Sequence, residues 1–303
     1  HRVDRRQRQM CIRDRFYIRR IFMQKIALIV DSACDLSLET LKEKNIHLLP
    51  LRITYSHKEY RDKIDISADE IYDNLEKEVP KTSLPSAENM EEILVSLENE
   101  GYTHVIAITI SSGLSGTFNS IRLALEDHPQ LTSYVFDTKI LAMPEGLVAL
   151  EVANLINDGK TFEEIVSEIP KIRRNITGYF TINTLEYLKR GGRIGKISGT
   201  IGEMLNLKPI VTVDEEGVYY TVCKARGRKQ SILKLTNILK DELALGPCKV
   251  WVLQGGALEE AKNFMESLKG LKNIVSLDIS QISPALGVHG GPGLLGLAIQ
   301  KVY

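Results

Sequence analysis

The stretch IALIVDSACDLSLETLKEK, residues 26–44, decides how the chain is read. The apolar run Ile26 to Val30 stops at Asp31-Ser32, and the positions from Leu36 to Lys44 then take helical spacing, giving strand, polar turn, helix. That opening predicts an α/β fold. Working outward, Ile46 to Tyr55 reads as a second strand. Ser67 to Glu78 and Ser86 to Glu100 read as helices with Ser N-caps, joined by the short linker Pro80 to Pro85. Thr103 to Ile110 is rich in β-branched residues and fits a buried parallel strand that stops at Ser111-Ser112-Gly113, before a helix over Thr117 to Glu126. Tyr134 to Phe136 makes a fourth strand ending at Asp137-Thr138. Strands alternating with helices imply a parallel sheet with right-handed crossovers. Ligands on such sheets sit at the carboxyl ends of the strands, where Asp31, Ser111 to Gly116 and Asp137 all fall.

Past the helices Pro144 to Asn157 and Thr161 to Arg173 the pattern changes. Ile176 to Ile182 and Pro209 to Val213 read as strands, and Glu215-Glu216-Gly217 as a hairpin turn into Val218 to Val222. A helix over Gln230 to Glu242, strands at Lys249 to Leu253 and Val275 to Ile279, a helix over Leu258 to Leu268 and a last strand near Gly296 to Val302 complete an α+β second half with a mixed or antiparallel sheet. The expected boundary lies near Arg173 to Ile176, giving an N-terminal domain of residues 23–174 and a C-terminal domain of residues 175–303. With no Gly/Ser linker there, a close contact between them is expected.

The chain has 303 residues, 43% hydrophobic and 26% charged, which excludes disordered and collagen-like classes, and no apolar run reaches the length of a membrane span. Its zero net charge conceals an uneven distribution. Residues 1–22 hold eight Arg against two Asp, so the rest is mildly acidic, which argues against a nucleic-acid-binding body. Within that basic head, Met10 to Arg15 (MCIRDR) resembles the in-frame translation of a transposon-end adapter. Residues 1–22 are therefore expected to be a non-native translated segment or a disordered arm, with the natural start at Met23. Cys11, Cys34, Cys223 and Cys248 lack CxxC spacing and read as reduced thiols of a cytoplasmic protein, and the six His lack metal-ligand spacing, so no metal is expected.

Four segments could carry chemistry. Ser111-Ser112-Gly113-Leu114-Ser115-Gly116-Thr117 joins a strand to a helix N-terminus, whose free N–H groups and hydroxyls would cradle an anion; equally, these are ordinary capping residues. In Thr82-Ser83-Leu84-Pro85-Ser86, Ser86 is accounted for as an N-cap, which leaves Thr82 and Ser83 free to meet a ligand. Gly287-Val288-His289-Gly290-Gly291-Pro292-Gly293 sets His289, the expected charge-assisted donor to an anion, beside backbone that a ligand can approach. Leu188 to Lys196 and the group Lys224, Arg226, Arg228, Lys229 are basic clusters on an acidic body, either solvated loops or a patch for an acidic partner or a phosphate. There is no phosphate-binding GxxxxGK[ST] sequence.

Taken in order, DSACDL at 31–36, TSLPS at 82–86, SSGLSGT at 111–117, LKRGGRI at 188–194 and HGGPG at 289–293 resemble the DegV family from Met23 to the C-terminus. The resemblance implies a two-domain lipid carrier without catalytic residues, metal or cofactor. A long-chain fatty acid would lie in an apolar tunnel between the domains and be presented to a separate fatty acid kinase subunit for phosphorylation to acyl-phosphate. Carried over to this sequence, it implies that Thr82 or Ser83, Ser115 and His289 hold the carboxylate with help from backbone around Gly116 and Gly290. Arg193 and Arg226 would lie near the opening and dock the kinase or steer ATP phosphates. It implies no nucleic acid partner and at most transient contact with a membrane surface. Two departures touch the acyl-chain preference: Leu84 stands where the family commonly has Gln, and Met143-Pro144-Glu145-Gly146 replaces a small, Gly-rich stretch.

The same residues admit two other readings. In an acyl hydrolase, Ser115 would be the nucleophile and His289 its base, oriented by Asp31 or Asp137, although Ser115 is not in a GxSxG sequence. The second is a regulatory binding module that binds no lipid.

Overall fold

The structure, a computed structural model, describes residues 24–200 and 207–302; the basic arm, Cys11 and the expected start at Met23 lie outside the described residues. In chain order the first half comprises β1 (Ile26–Asp31), α1 (Leu38–Glu43), β2 (Ile46–Leu49), β3 (Arg52–Thr54), β4 (Glu59–Arg61), α2 (Ala68–Asn74), β5 (Lys81–Ser83), α3 (Ala87–Asn99), β6 (His104–Thr109), α4 (Thr117–Glu126), β7 (Thr132–Asp137), α5 (Met143–Asn157) and α6 (Phe162–Arg174). The second half adds β8 (Ile176–Thr181), α7 (Glu186–Arg190), β9 (Leu207–Val213), β10 (Tyr219–Arg226), α8 (Arg228–Leu245), β11 (Cys248–Gly255), α9 (Leu258–Leu268), β12 (Ile274–Gln281), α10 (Pro284–Gly290) and β13 (Leu294–Lys301).

The fold is a two-domain α/β architecture. β2-β1-β6-β7 form an all-parallel N-terminal sheet, and β10-β9-β8-β13-β11-β12 a mixed C-terminal sheet in which only β11 and β12 pair in parallel. Two features depart from the sequence expectation. Ile46 to Tyr55 is not one strand, because Pro50 has no N–H to continue the ladder. The chain leaves the parallel sheet there, Leu51 N donates to Ser32 Oγ at 3.0 Å, and β3 joins a separate three-stranded antiparallel sheet, β4-β3-β5. The Pro80 to Pro85 linker contains β5, whose Thr82 pairs with Ile53 and Ser83 with Arg52. Three mostly polar residues carry no alternation from which a strand could be read.

Helix α5 lies between the two main sheets, against β1 and β6 on one side and β8 and β13 on the other. It is buried all round from Met143 to Ala149, as a helix covered by two sheets must be. Fully buried Val148 and Val152 each contribute roughly 1.5–3 kcal/mol of apolar transfer. At its start, Gly146 meets the turn after β1 so closely that a Cβ would lie 2.3 Å from the Cys34 carbonyl oxygen.

Buried acids join the halves here. Asp35 Oδ1 accepts from Ser283 N at 2.7 Å and Asp62 Oδ1 from Ala285 N at 2.9 Å, satisfying free N–H groups at the start of α10. Asp31 Oδ1 and Oδ2 accept from Ala33 N and Ile110 N, at 2.9 and 2.8 Å. Burial outweighs these bonds and the nearby Lys63 ammonium, pushing the Asp31 and Asp35 carboxyls up to about 7 and Asp62 to about 6. Glu145 is fully buried, with neither carboxyl oxygen hydrogen-bonded among the described residues. Burial, reinforced by the charges of Asp31, Cys34 and Asp35, holds it far above the carboxylate range.

These raised values fix the sign of a pH effect. From about pH 4 to 7 the folded protein retains protons that the unfolded chain has released, so the contribution present below pH 4 is lost as the pH rises. The melting temperature is expected to fall across that window, by an amount on the order of a few kcal/mol of stability. Asp35→Asn should flatten the slope. Parallel melting-temperature curves for variant and wild type would refute the assignment.

Candidate functional site

The three hydroxyl and imidazole candidates converge from three elements. β5 carries Thr82, the loop before α4 carries Ser115, and the last turn of α10 carries His289. The first part of the GVHGGPG segment is the end of a helix. Pro284 starts the helix at a Ser283 N-cap and the glycines end it, with Gly291 at φ 68° just past its last turn. Thr82 Oγ1 and His289 Nε2 are hydrogen-bonded at 2.7 Å across the two halves of the chain. The imidazole is held in place by an absence: a Cβ on Gly191 would lie 2.1 Å from His289 Nδ1.

His289 is a neutral N–H donor rather than a cation, and a bond from it to an anion would be charge-assisted from the acceptor's side alone. Its Nδ1 is buried without a hydrogen-bond partner among the described residues, and burial, helped by the Arg193 charge, lowers its pKa to about 4. At neutral pH it is an uncharged imidazole offering one N–H. This geometry also bears on the hydrolase reading. Ser115 Oγ pairs with Thr117 Oγ1 at 2.9 Å and His289 with Thr82. Asp31 is engaged with Ala33 N and Ile110 N, and Asp137 with Lys139 and Ser112 N, so neither orients the imidazole.

The glycine-serine loop is largely used for docking the halves together. Ser111 Oγ donates to Gly217 O at 2.8 Å, in the hairpin turn between β9 and β10. Gly113 lies so close to that turn that a Cβ would be 2.8 Å from Gly217 O. Gly116 occupies the N-cap of α4 against the Leu84 side chain. Ser115 alone of the loop's hydroxyls faces the cavity beside His289.

Three adjoining spaces meet at this point. One cavity is lined by Thr82, Ser83, Leu84, Ser115, Arg193 and His289 among others. Sharing Leu141, Tyr219, Leu286 and His289 with it is an apolar cavity, walled by Pro144, Gly178, Phe180, Leu188, Leu253, Gly290 and Leu294. An outer cleft, lined by Lys81, Thr82, Arg190, Gly191, Arg193 and His289, adjoins the first. Polar donors thus sit at the junction of a basic cleft and an apolar chamber.

The basic candidates separate. Arg193 is at this junction, where its Nε donates to Leu114 O at 3.2 Å and Nη1 to Gly191 O at 2.7 Å. Arg226 closes the edge strand β10, and it lines none of these three spaces. Of its neighbours, Arg228 is committed to Glu260, with Nε···Oε1 at 2.9 Å. Sequence reasoning missed Tyr219, which lines both cavities and stacks edge-on against Phe180 with ring centroids 5.4 Å apart. It also missed Gly191, which resembled any glycine in a basic loop. Among the described residues no helix is long and apolar enough to cross a membrane, and no cluster of His, Cys, Asp and Glu could hold a metal ion.

Comparison with known proteins gives a consistent result. A family model described as "Uncharacterised protein, DegV family" matches residues 25–302. A DegV domain-containing protein of Clostridium acetobutylicum is 50% identical over 279 residues, 92% of this chain and 100% of that protein. The crystal structure of DegV, a fatty acid binding protein from Bacillus subtilis, superposes with a TM-score of 0.85 at 30% identity, covering 92% of this chain and 100% of that one. That of a stearic acid-binding protein from Eubacterium ventriosum gives 0.82 at 31% identity, covering 92% and 98%.

Proposed function

The chain belongs to the DegV family, and from that premise we propose that it is a fatty acid carrier whose ligand carboxylate is held by Thr82, Ser83, Ser115 and His289, with its acyl chain in the apolar cavity behind them. The observation that carries this reading is the Thr82–His289 pair, set in the neck between polar and apolar space. A carboxylate leaving water needs several donors, and each CH₂ buried behind it stabilises the complex by roughly 0.8 kcal/mol. Tight retention thus requires no activated nucleophile. Backbone around Gly116 and Gly290 completes the cradle.

The carboxylate is presented to a separate kinase subunit that forms the acyl-phosphate. The outer cleft supports this, because Lys81, Arg190 and Arg193 line the route by which a phosphate would reach the head group. For Arg226, which lines none of these spaces, a kinase-docking role rests on the family resemblance alone.

Native mass spectrometry with solvent extraction tests the carrier. A stoichiometric long-chain fatty acid adduct is expected on the wild type. His289→Ala or Ser115→Ala should weaken retention roughly ten- to a hundredfold, the cost of one lost donor to a charged group. Full occupancy in both variants would remove these residues from the head-group site. Adding a fatty acid kinase subunit and ATP should convert the bound acid to acyl-phosphate; a bound acid that stays unphosphorylated would count against presentation.

A further inference from the structure

The wall of the apolar cavity contains a contact that strand formation does not require. Gly178 lies inside β8, pairs with Ala298 and is not in the left-handed region, so its backbone would accept any residue. A glycine inside a strand costs stability unless something must come close. Here it is Pro144: a Cβ on Gly178 would lie 2.8 Å from Pro144 Cγ. Both residues line the apolar cavity and neither lines the polar one, so they stand beyond the neck made by Leu141, Tyr219, Leu286 and His289.

Pro144 is held there firmly. It is in the first turn of α5, its ring cannot rotate away, and the residue before that helix, Ala142, has φ 62° and ψ −157°, a conformation nearly confined to glycine. Strain of this kind persists where surrounding structure imposes it, commonly at ligand sites. Ala142 lines the same cavity. A rigid ring over a bare strand backbone is a wall that cannot yield as a flexible Leu or Met would.

We propose that Pro144 and Gly178 form the stop met by the methyl end of the acyl chain and thereby set its length. This rests on the reading that the cavity holds a fatty acid. The test loads the full chain, after delipidation, with an equimolar mixture of saturated C14, C16, C18 and C20 acids and reads the adducts by native mass spectrometry. Pro144→Ala removes the ring and should raise the C18:C16 ratio roughly tenfold, the effect of admitting two more methylenes. Gly178→Ala should shift the ratio the other way; if it does not fold, Pro144→Ala decides alone. A loaded Pro144→Ala protein with the wild-type ratio overturns the stop and leaves the carrier standing. A wild type that takes up none of the four acids overturns the carrier, and the stop with it.

Discussion

Gly191→Ala is expected to strip the protein of fatty acid while leaving it folded. Gly191 has φ −76°, which alanine adopts freely, so the backbone tolerates the change. The added methyl, however, would stand 2.1 Å from Nδ1 and 2.6 Å from Cε1 of His289. Ordinary contact needs well over 3 Å, so the imidazole must move and its bond to Thr82 is lost. Loss of a hydrogen bond to a charged ligand group, about 1.5–3 kcal/mol, corresponds to roughly ten- to a hundredfold weaker retention. A double-mutant cycle identifies the cause: in a His289→Ala background the same substitution should do nothing further. Equal, additive losses in both backgrounds would mean that Gly191 acts elsewhere.

Gly217→Ala is expected to cause a large loss of stability. Gly217 has φ 76°, and a Cβ there would lie 1.9 Å from Ser111 Oγ, the atom that donates to its own carbonyl. Backbone strain of about 1–2 kcal/mol adds to a broken buried hydrogen bond of about 1–3 kcal/mol. The melting temperature should fall by roughly 5–10 °C. Gly159 provides the control, since it shares the left-handed conformation at φ 74° but has nothing within 4 Å of the added methyl. Gly159→Ala should show the backbone cost alone. If the two variants melt together, the contact between Ser111 and the hairpin contributes nothing measurable.

The parallel half of the fold was legible because its central strands β1 and β6 are nearly continuous apolar runs that stop at Asp31-Ser32 and at Ser111-Ser112-Gly113. The three-stranded sheet was not, since β3, β4 and β5 are three residues each and mostly polar, and Pro50 hides inside what looked like one strand. At the site, Thr82, Ser115 and His289 could be named in advance because each stands in a dense run of turn-forming residues. Their states could not. The charge on His289 depends on burial and on Arg193, which is nearly a hundred residues away in sequence, and the function of Gly191 depends on an imidazole across the molecule. Glycines chosen for space look in sequence like glycines chosen for conformation.

The latch between Ser111 and the β9–β10 hairpin also determines which way the molecule can breathe. With Asp35 and Asp62 bound to α10 as well, the halves are riveted at several places, so a hinge-like gaping would break buried contacts together. The weak side is the outer cleft, where β5 is an edge strand of three residues with one neighbour and α7 is a helix of five. Fraying of such short pieces needs little free energy compared with global unfolding. Cargo would pass through this turnstile, at a residence time set by a few local hydrogen bonds and independent of how stable the whole protein is.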